Sequence, residues 1–200
     1  DALGGLARGL YRTLDASDVQ AYLASKIDEI GIHPRVTVHT GVEVEKTDGY
    51  VGNFISELTD GTQIEHGAIL LTTGGEEYQA TEYLSGENER VVTQRDLEKR
   101  LETESPKPGE SFAMIQCVGS REEPNNYCSR ICCQDAIKNA IAIKEKTPDA
   151  QVIIFYRDIR TYGLREDYYE RARELGVLFV RFDVDRKPEV EATARGLKVT

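Results

Sequence analysis

The stretch CSRICCQDAIKNAIAIKEKTPDAQVIIFYRD, residues 128–158, decides the fold. From about Tyr127 to Lys146 it predicts a helix. Thr147 to Ala150 make a turn, and QVIIFYRD supplies the continuous apolar run of a strand buried on both faces. Upstream, Phe112 to Val118 reads as a second apolar strand, so the segments compose a βαβ unit. Downstream, a helix from roughly Arg165 to Leu175 leads through Gly176 into the strand VLFVRFD. Strands and helices that alternate in this way predict a parallel, doubly wound sheet of α/β class.

The first half reads differently. SDVQAYLASKIDEI, residues 17–30, has the apolar spacing of a helix, with Ser17 or Asp18 as its cap and Gly31 as its stop. Between His33 and His66, apolar and polar residues alternate around turn signals at Asp48-Gly49 and Asp60-Gly61, which predicts a small antiparallel β meander. The apolar run Ala68 to Leu71 then reads as a short buried strand ending in Thr72, Thr73, Gly74 and Gly75. There the bare backbone could meet a bulky ligand or simply turn. TQRDLEKRLE is a charged helix capped by Thr93, and ESPKPGES is a linker. Domains are therefore expected at residues 1–107 and 108–200.

The chain has 35 acidic against 25 basic side chains, a net charge of −10, with the acids dispersed. Phosphate neutralisation needs clustered Lys and Arg, so a nucleic-acid surface is excluded. No apolar run approaches the roughly 20 residues of a membrane span, and no export signal is present, so direct membrane insertion is not expected. The abrupt start at Asp1 reads as a piece of a longer protein.

All four cysteines lie between positions 117 and 133, in the spacing C-x10-C-x3-C-C. A disulfide framework would scatter them, so a reducing cytoplasm and a metal or redox site are expected. In a dinucleotide-binding βαβ unit the loop after the first strand is Gly-rich and seats a pyrophosphate on the helix N-terminus. Here that loop keeps only Gly119, Pro124 stiffens it, and Cys117 and Cys128 stand at its ends. With a helix starting near Cys128, Cys132 falls on the same face one turn later and Cys133 is rotated by about 100°. Four converging thiolates repel one another, and a helix dipole offsets only part of that, so a cationic centre is the natural compensation. Iron–sulfur, zinc and a thiol or disulfide redox site all stay open at this level.

The run MIQCVGSREEPNNYCSRICCQDAIKNA, together with YRDIRTYG, resembles the flavin-containing, A-type subunit of heterodisulfide reductase and its relatives in anaerobic microbes. LGGLARGLYRTL, DGYVGNF, IEHGAILLTTGGEEY, TEYL and YYERARELGVLFVRFD resemble the family's segments in the same order. The resemblance implies a Rossmann-like, thioredoxin-reductase-like FAD/NAD(P)-binding scaffold that begins here just after the FAD-binding glycine loop. It implies Gly4 and Gly5 near the first FAD contact, Thr72, Thr73, Gly74 and Gly75 at the second, and a [4Fe-4S] cluster on Cys117, Cys128, Cys132 and Cys133. It further implies electron transfer between FAD and that cluster, and partners among the other subunits of a heterodisulfide reductase-like or quinone-linked redox complex. No G-x-G-x-x-G occurs in the chain, and the family's ferredoxin-type cysteine runs are absent.

Lys138 could face the cluster or the flavin and tune potential by its charge, or be a solvated helical lysine. Arg157 and Asp158 could address a ribose or form a surface pair, and Arg160 and Tyr162 lie where ligands bind in such sheets. His33, His39 and His66 share no ligand spacing. The alternatives are a zinc- or cluster-bearing docking module without redox turnover, and a nucleotide-dependent disulfide reductase domain.

Overall fold

The computed structural model describes residues 2–200 and divides them into two compact units, one of residues up to 8 and 20–76, the other of residues 9–19 and 77–200.

The larger unit is built on three parallel strands, β4 (Ser111–Ile115), β5 (Gln151–Tyr156) and β6 (Leu178–Arg181), in the order β4-β5-β6. Ser111 to Ile115 run beside Gln151 to Phe155, and Ile153 to Tyr156 beside Leu178 to Arg181. Helix α3 (Cys132–Lys146) connects β4 to β5 and helix α4 (Glu166–Glu174) connects β5 to β6, the βαβαβ arrangement expected. On β5 the sealed residues alternate: Val152 and Ile154 are buried while Ile153 and Phe155 are half-covered. One face of the sheet is sealed and the other only partly, a correction to the two-faced burial that the unbroken apolar run suggested. Ile137, Ala140 and Ile143 recur every third residue on α3 and are 0% exposed, so one stripe of the helix fills the core with Met114, Val152 and Ile154. Each such isoleucine contributes about 1.5–3 kcal/mol by leaving water.

Helix α2 (Gln94–Thr103) packs on α3 through Leu101. Its start is the one the sequence indicates, with Thr93 Oγ1 accepting from the Asp96 amide at 3.2 Å. A hairpin of β7 (Val190–Thr193) and β8 (Gly196–Val199) turns at Ala194-Arg195, an element the sequence patterns did not announce.

In the smaller unit, helix α1 (Val19–Ile32) precedes an antiparallel meander of β1 (Val44–Tyr50), β2 (Asn53–Leu58) and β3 (Gln63–His66). The second reversal falls at Asp60-Gly61 as expected, where Asp60 Oδ1 accepts from the Thr62 amide at 2.9 Å. The first does not. Asp48-Gly49 lies inside β1 opposite Ile55 and Phe54, and the chain reverses at Val51-Gly52. Gly49 is needed for another reason: at φ 107° it passes so close to the Asn53 carbonyl that a Cβ would collide with it.

The segment Ala68 to Leu71, expected as a short buried strand, is irregular and exposed, with Leu70 and Leu71 each 83% accessible. It has no partner strand among the described residues. Without a ladder to take its amides, an apolar run gains no burial by extending.

Candidate cysteine site

The four cysteines gather at the carboxyl end of the parallel sheet, but from two kinds of support. Cys132 and Cys133 open α3 and are fixed by the packed helix behind them. Cys117 follows the end of β4, where Gln116 still donates to the Phe155 carbonyl at 2.9 Å. Cys128 sits in the loop four residues before α3 begins. The helix was expected from about Tyr127, so the shared helical face of Cys128 and Cys132 is corrected. Arg130, at φ 63°, stands in the left-handed region where a right-handed helix cannot continue, and its amide donates instead to Cys128 Sγ at 3.4 Å.

The loop between the two pairs curls on itself. The Arg121 amide donates to Asn125 and Tyr127 carbonyls at 2.8 and 3.0 Å, and Asn125 Nδ2 donates to the Gly119 carbonyl at 3.2 Å. Gly119, at φ 66°, leaves room for the Tyr78 ring where a Cβ would overlap it. Cys117, Arg121 and Arg130 all hold positive φ, a conformation that costs a residue with a Cβ about 1–2 kcal/mol. Such strain collects where the surroundings impose a geometry for a purpose.

The thiols are electrostatically unequal. Cys132 has its pKa lowered because its sulfur accepts a hydrogen bond from the Cys133 thiol, with Ser129 adding to the effect against burial. Cys133 moves the other way: it donates to Cys132 and is buried, and both favour the protonated thiol. The Asp158 carbonyl, 3.6 Å from the Cys133 sulfur, is the alternative acceptor for that one thiol proton. Burial pushes the Cys117 thiol up, opposed by Arg121, whose Nη1 lies 3.9 Å from the sulfur, and by the charge of Arg157. Cys117 feels Cys132, and Cys133 feels Cys117, so these three share one field. Cys128 lines a cavity with Arg121, Arg130, Arg157 and Arg160.

Four thiols within seventeen positions suit an iron–sulfur cluster in kind and number. Two buried side-chain atoms in the same segments, Gln116 Oε1 and Thr161 Oγ1, have no hydrogen-bond partner among the described residues. The loop is nevertheless open: among the described residues, no set of three or more His, Cys, Asp or Glu side chains stands in metal-holding geometry. Closing the set requires movement of the loop bearing Cys128.

The other expected residues lie as follows. Gly4 and Gly5 begin a 3-10 turn at Gly5–Gly9, with φ 111° and 45°. Thr72, Thr73, Gly74 and Gly75 lie in the exposed irregular segment after β3. The Lys138 ammonium donates to Glu98 Oε2 at 2.8 Å and to the Arg12 carbonyl at 3.1 Å, with Asp135 at 3.6 Å. Asp158 pairs with Arg121 at 2.7 Å, and Arg157 with Glu122 at 3.3 Å, so the expected Arg157–Asp158 surface pair is replaced by two longer-range pairs. Sequence reasoning passed over Arg121, Arg130 and Glu98. The signal for Glu98 was an acid one position from Leu97 on a helix that also buries Leu101, and for the arginines it was their recurrence around the cysteines in an acidic chain.

No family model matches the chain. Among curated proteins it is 41% identical over 136 residues to the A-type subunit of a ferredoxin/F(420)H(2)-dependent CoB-CoM heterodisulfide reductase of Methanosarcina acetivorans, covering 60% of this chain and 17% of that one. It is 33% identical over 186 residues to the A-type subunit of a ferredoxin:CoB-CoM heterodisulfide reductase of the same organism, covering 70% and 23%. It is 39% identical over 137 residues to the A-type iron-sulfur subunit of a CoB–CoM heterodisulfide reductase of Methanocaldococcus jannaschii, covering 60% and 21%. Among solved structures, an oxidoreductase from Agrobacterium tumefaciens aligns with 98% of this chain and 58% of its own at 13% identity and a TM-score of 0.36. HlmI aligns with 98% and 57% at 12% identity and the same TM-score. These two likenesses are too distant to speak for function. The chain spans only about a fifth of the length of its curated relatives, 17% and 23% of the first two. Over the stretch it shares with them, it is homologous to part of the A-type subunit of heterodisulfide reductases.

Proposed function

We propose that this chain is the electron-transfer portion of an oxidoreductase of the heterodisulfide reductase kind, holding a [4Fe-4S] cluster on Cys117, Cys128, Cys132 and Cys133. The observation that carries the reading is the confinement of all four thiols to a strand end, one loop and one helix start, three of them sharing a field. The printed designation of one relative as an iron-sulfur subunit supports it. When bound, such a cluster would supply one-electron transfer, and an FAD beside it would exchange two electrons.

The chain's own residues would divide the remaining work. Cys132 and Cys133, on the rigid helix, set the position of the site, and the Cys117 and Cys128 loop closes over it. Arg121 and Arg157 place positive charge beside Cys117, which offsets part of the burial that favours its thiol. Gly4, Gly5 and Thr72 to Gly75 offer backbone without bulk for an FAD contributed to by more of the protein than this chain. Lys138, paired with Glu98, acts in this reading as a brace of α3. Residues 1–107 would then belong with the flavin, and 108–200 with the cluster. The working partners would be other subunits of a heterodisulfide reductase-like or quinone-linked complex. The place of work would be the cytoplasm, where a reducing medium keeps clustered thiols free for a metal centre. No helix among the described residues is long and apolar enough to cross a membrane.

The test is anaerobic reconstitution of the chain followed by iron, sulfide and zinc analysis with visible and EPR spectra. About four iron and four sulfide per chain, with a broad visible absorption bleached by dithionite and diminished by any single Cys→Ser change, are expected. A colourless protein loaded with zinc, or one that forms a Cys132–Cys133 disulfide and takes up no iron, would overturn it.

A further inference from the structure

Beside the cysteines, an open cavity of about 530 Å³ lies at the carboxyl end of the parallel sheet. Four of its seven lining residues are arginines: Arg121 and Arg130 from the loop after β4, and Arg157 and Arg160 from the segment after β5. None of the seven is acidic, in a chain that carries ten more acids than bases. Two of the four arginines are matched within the fold, Arg121 by Asp158 at 2.7 Å and Arg157 by Glu122 at 3.3 Å. Glu122 is shared further with Lys187 at 2.5 Å, which leaves less of its charge for Arg157. Arg130 and Arg160 have no side-chain hydrogen bond or ion pair among the described residues, although the Arg160 charge is felt by Asp158. Like charges collected around one concavity repel, and a fold tolerates the arrangement readily only where an anion relieves it.

We propose that this cavity binds a phosphate-bearing small molecule, its phosphoryl group held by Arg130 and Arg160. A guanidinium presents a planar fork of donors that matches phosphate oxygens two at a time, so two unmatched arginines can saturate one phosphoryl group. The volume lies within the roughly 300–1,000 Å³ of small-molecule sites and exceeds what a lone phosphate needs. The side chains of Asn126 and the exposed Tyr127 are available to the organic remainder. The position also obeys the general rule that ligands of open parallel sheets bind outside the carboxyl ends of the strands. A dinucleotide fits poorly, because the start of α3, where its pyrophosphate would sit, is taken by Cys132 and Cys133.

The cavity shares Cys128 with the cluster reading, so the test follows iron content and phosphate affinity separately. The full chain, purified anaerobically so that any iron is retained, is titrated calorimetrically at fixed ionic strength with inorganic phosphate, adenosine monophosphate and adenosine. Saturable binding of both phosphates and none of adenosine is expected, with the monophosphate tighter if the cavity recognises the organic body. Arg160→Gln should weaken phosphate binding about ten-fold or more. Arg130→Gln, at an exposed position, should do the same. Arg171→Gln, an equal charge loss on α4, should leave affinity alone. Absence of saturable binding, equal weakening by Arg171→Gln, or arginine variants that lose iron while phosphate affinity stays constant would each overturn the proposal.

Discussion

The middle of α3 and its beginning are held in opposite ways. Along the middle, Ile137, Ala140 and Ile143 are wholly buried, Asn139 donates to the Gln94 carbonyl and side chain at 2.9 and 2.8 Å, and Lys138 is clasped by Glu98. At the beginning, Ile131 provides no side-chain cap, Arg130 is strained, and the chain upstream is a solvent-facing loop. The contrast places two cysteines on a platform, the packed helix, and two outside it, one at the end of β4 and one in the loop. Under the proposed cluster reading, such a site would be positioned by the core and completed by what it binds.

Breaking the platform should have the largest effect. Glu98 and Lys138 side chains are 6% and 10% exposed, and Glu98 Oε1 also accepts the amides of Tyr11 and Arg12 at 2.8 and 3.0 Å. Glu98→Ala would leave the buried Lys138 ammonium with only the Arg12 carbonyl and Asp135, and two amides unmatched, so about 3 kcal/mol of stability should be lost in urea denaturation. The double change Glu98→Leu with Lys138→Met should recover much of that. If Glu98→Ala alone is nearly neutral, the clasp does not hold the platform. Ile137→Ala follows at about 2–5 kcal/mol, through lost burial and a cavity against β5.

The loop should respond with the opposite sign. Arg130→Gly removes a Cβ from a left-handed residue and should stabilise the metal-free chain by about 1 kcal/mol. A destabilisation of the same size would show that the Arg130 side chain supports the loop after all, and the contrast between the two ends of α3 would need redrawing.

These differences explain how much the sequence could disclose. The parallel sheet was legible because β5 carries its apolar residues in one run and α3 in one stripe, and both patterns are set by the same core. The clustering of the four cysteines between β4 and the first turn of α3 was legible from their spacing, but the shared helical face that the spacing suggested was not there. The helix start was not: Ser129-Arg130-Ile131 carries no Gly or Pro, and the break at Arg130 depends on a backbone torsion that an arginine does not advertise. The meander was legible by alternation, but Asp48-Gly49 misled, because its glycine serves a close strand approach rather than a turn. Ala68 to Leu71 misled for a broader reason. An apolar run specifies a strand only when a neighbouring edge is at hand, and edges are not written locally.

The smallest effect sharpens the comparison at the far side of the clasp, in residues 9–19, which Glu98 ties to the platform. There Asp15 accepts hydrogen bonds from the Thr13 and Ser17 hydroxyls and the Ser17 amide, and these hold its carboxyl below the ordinary value of 3.8. A carboxyl depressed in the folded state stabilises above the unfolded pKa and loses that contribution as pH falls through the folded one. The stability difference between the wild-type chain and Asp15→Ala should therefore be constant at neutral pH and shrink once the pH drops below about 3.8. Because Asp15 is fully exposed, the difference should be slight and should weaken with salt. A difference that grows on acidification would mean that the protonated carboxyl is the better partner of Thr13, and that this turn, unlike the clasp, owes nothing to charge.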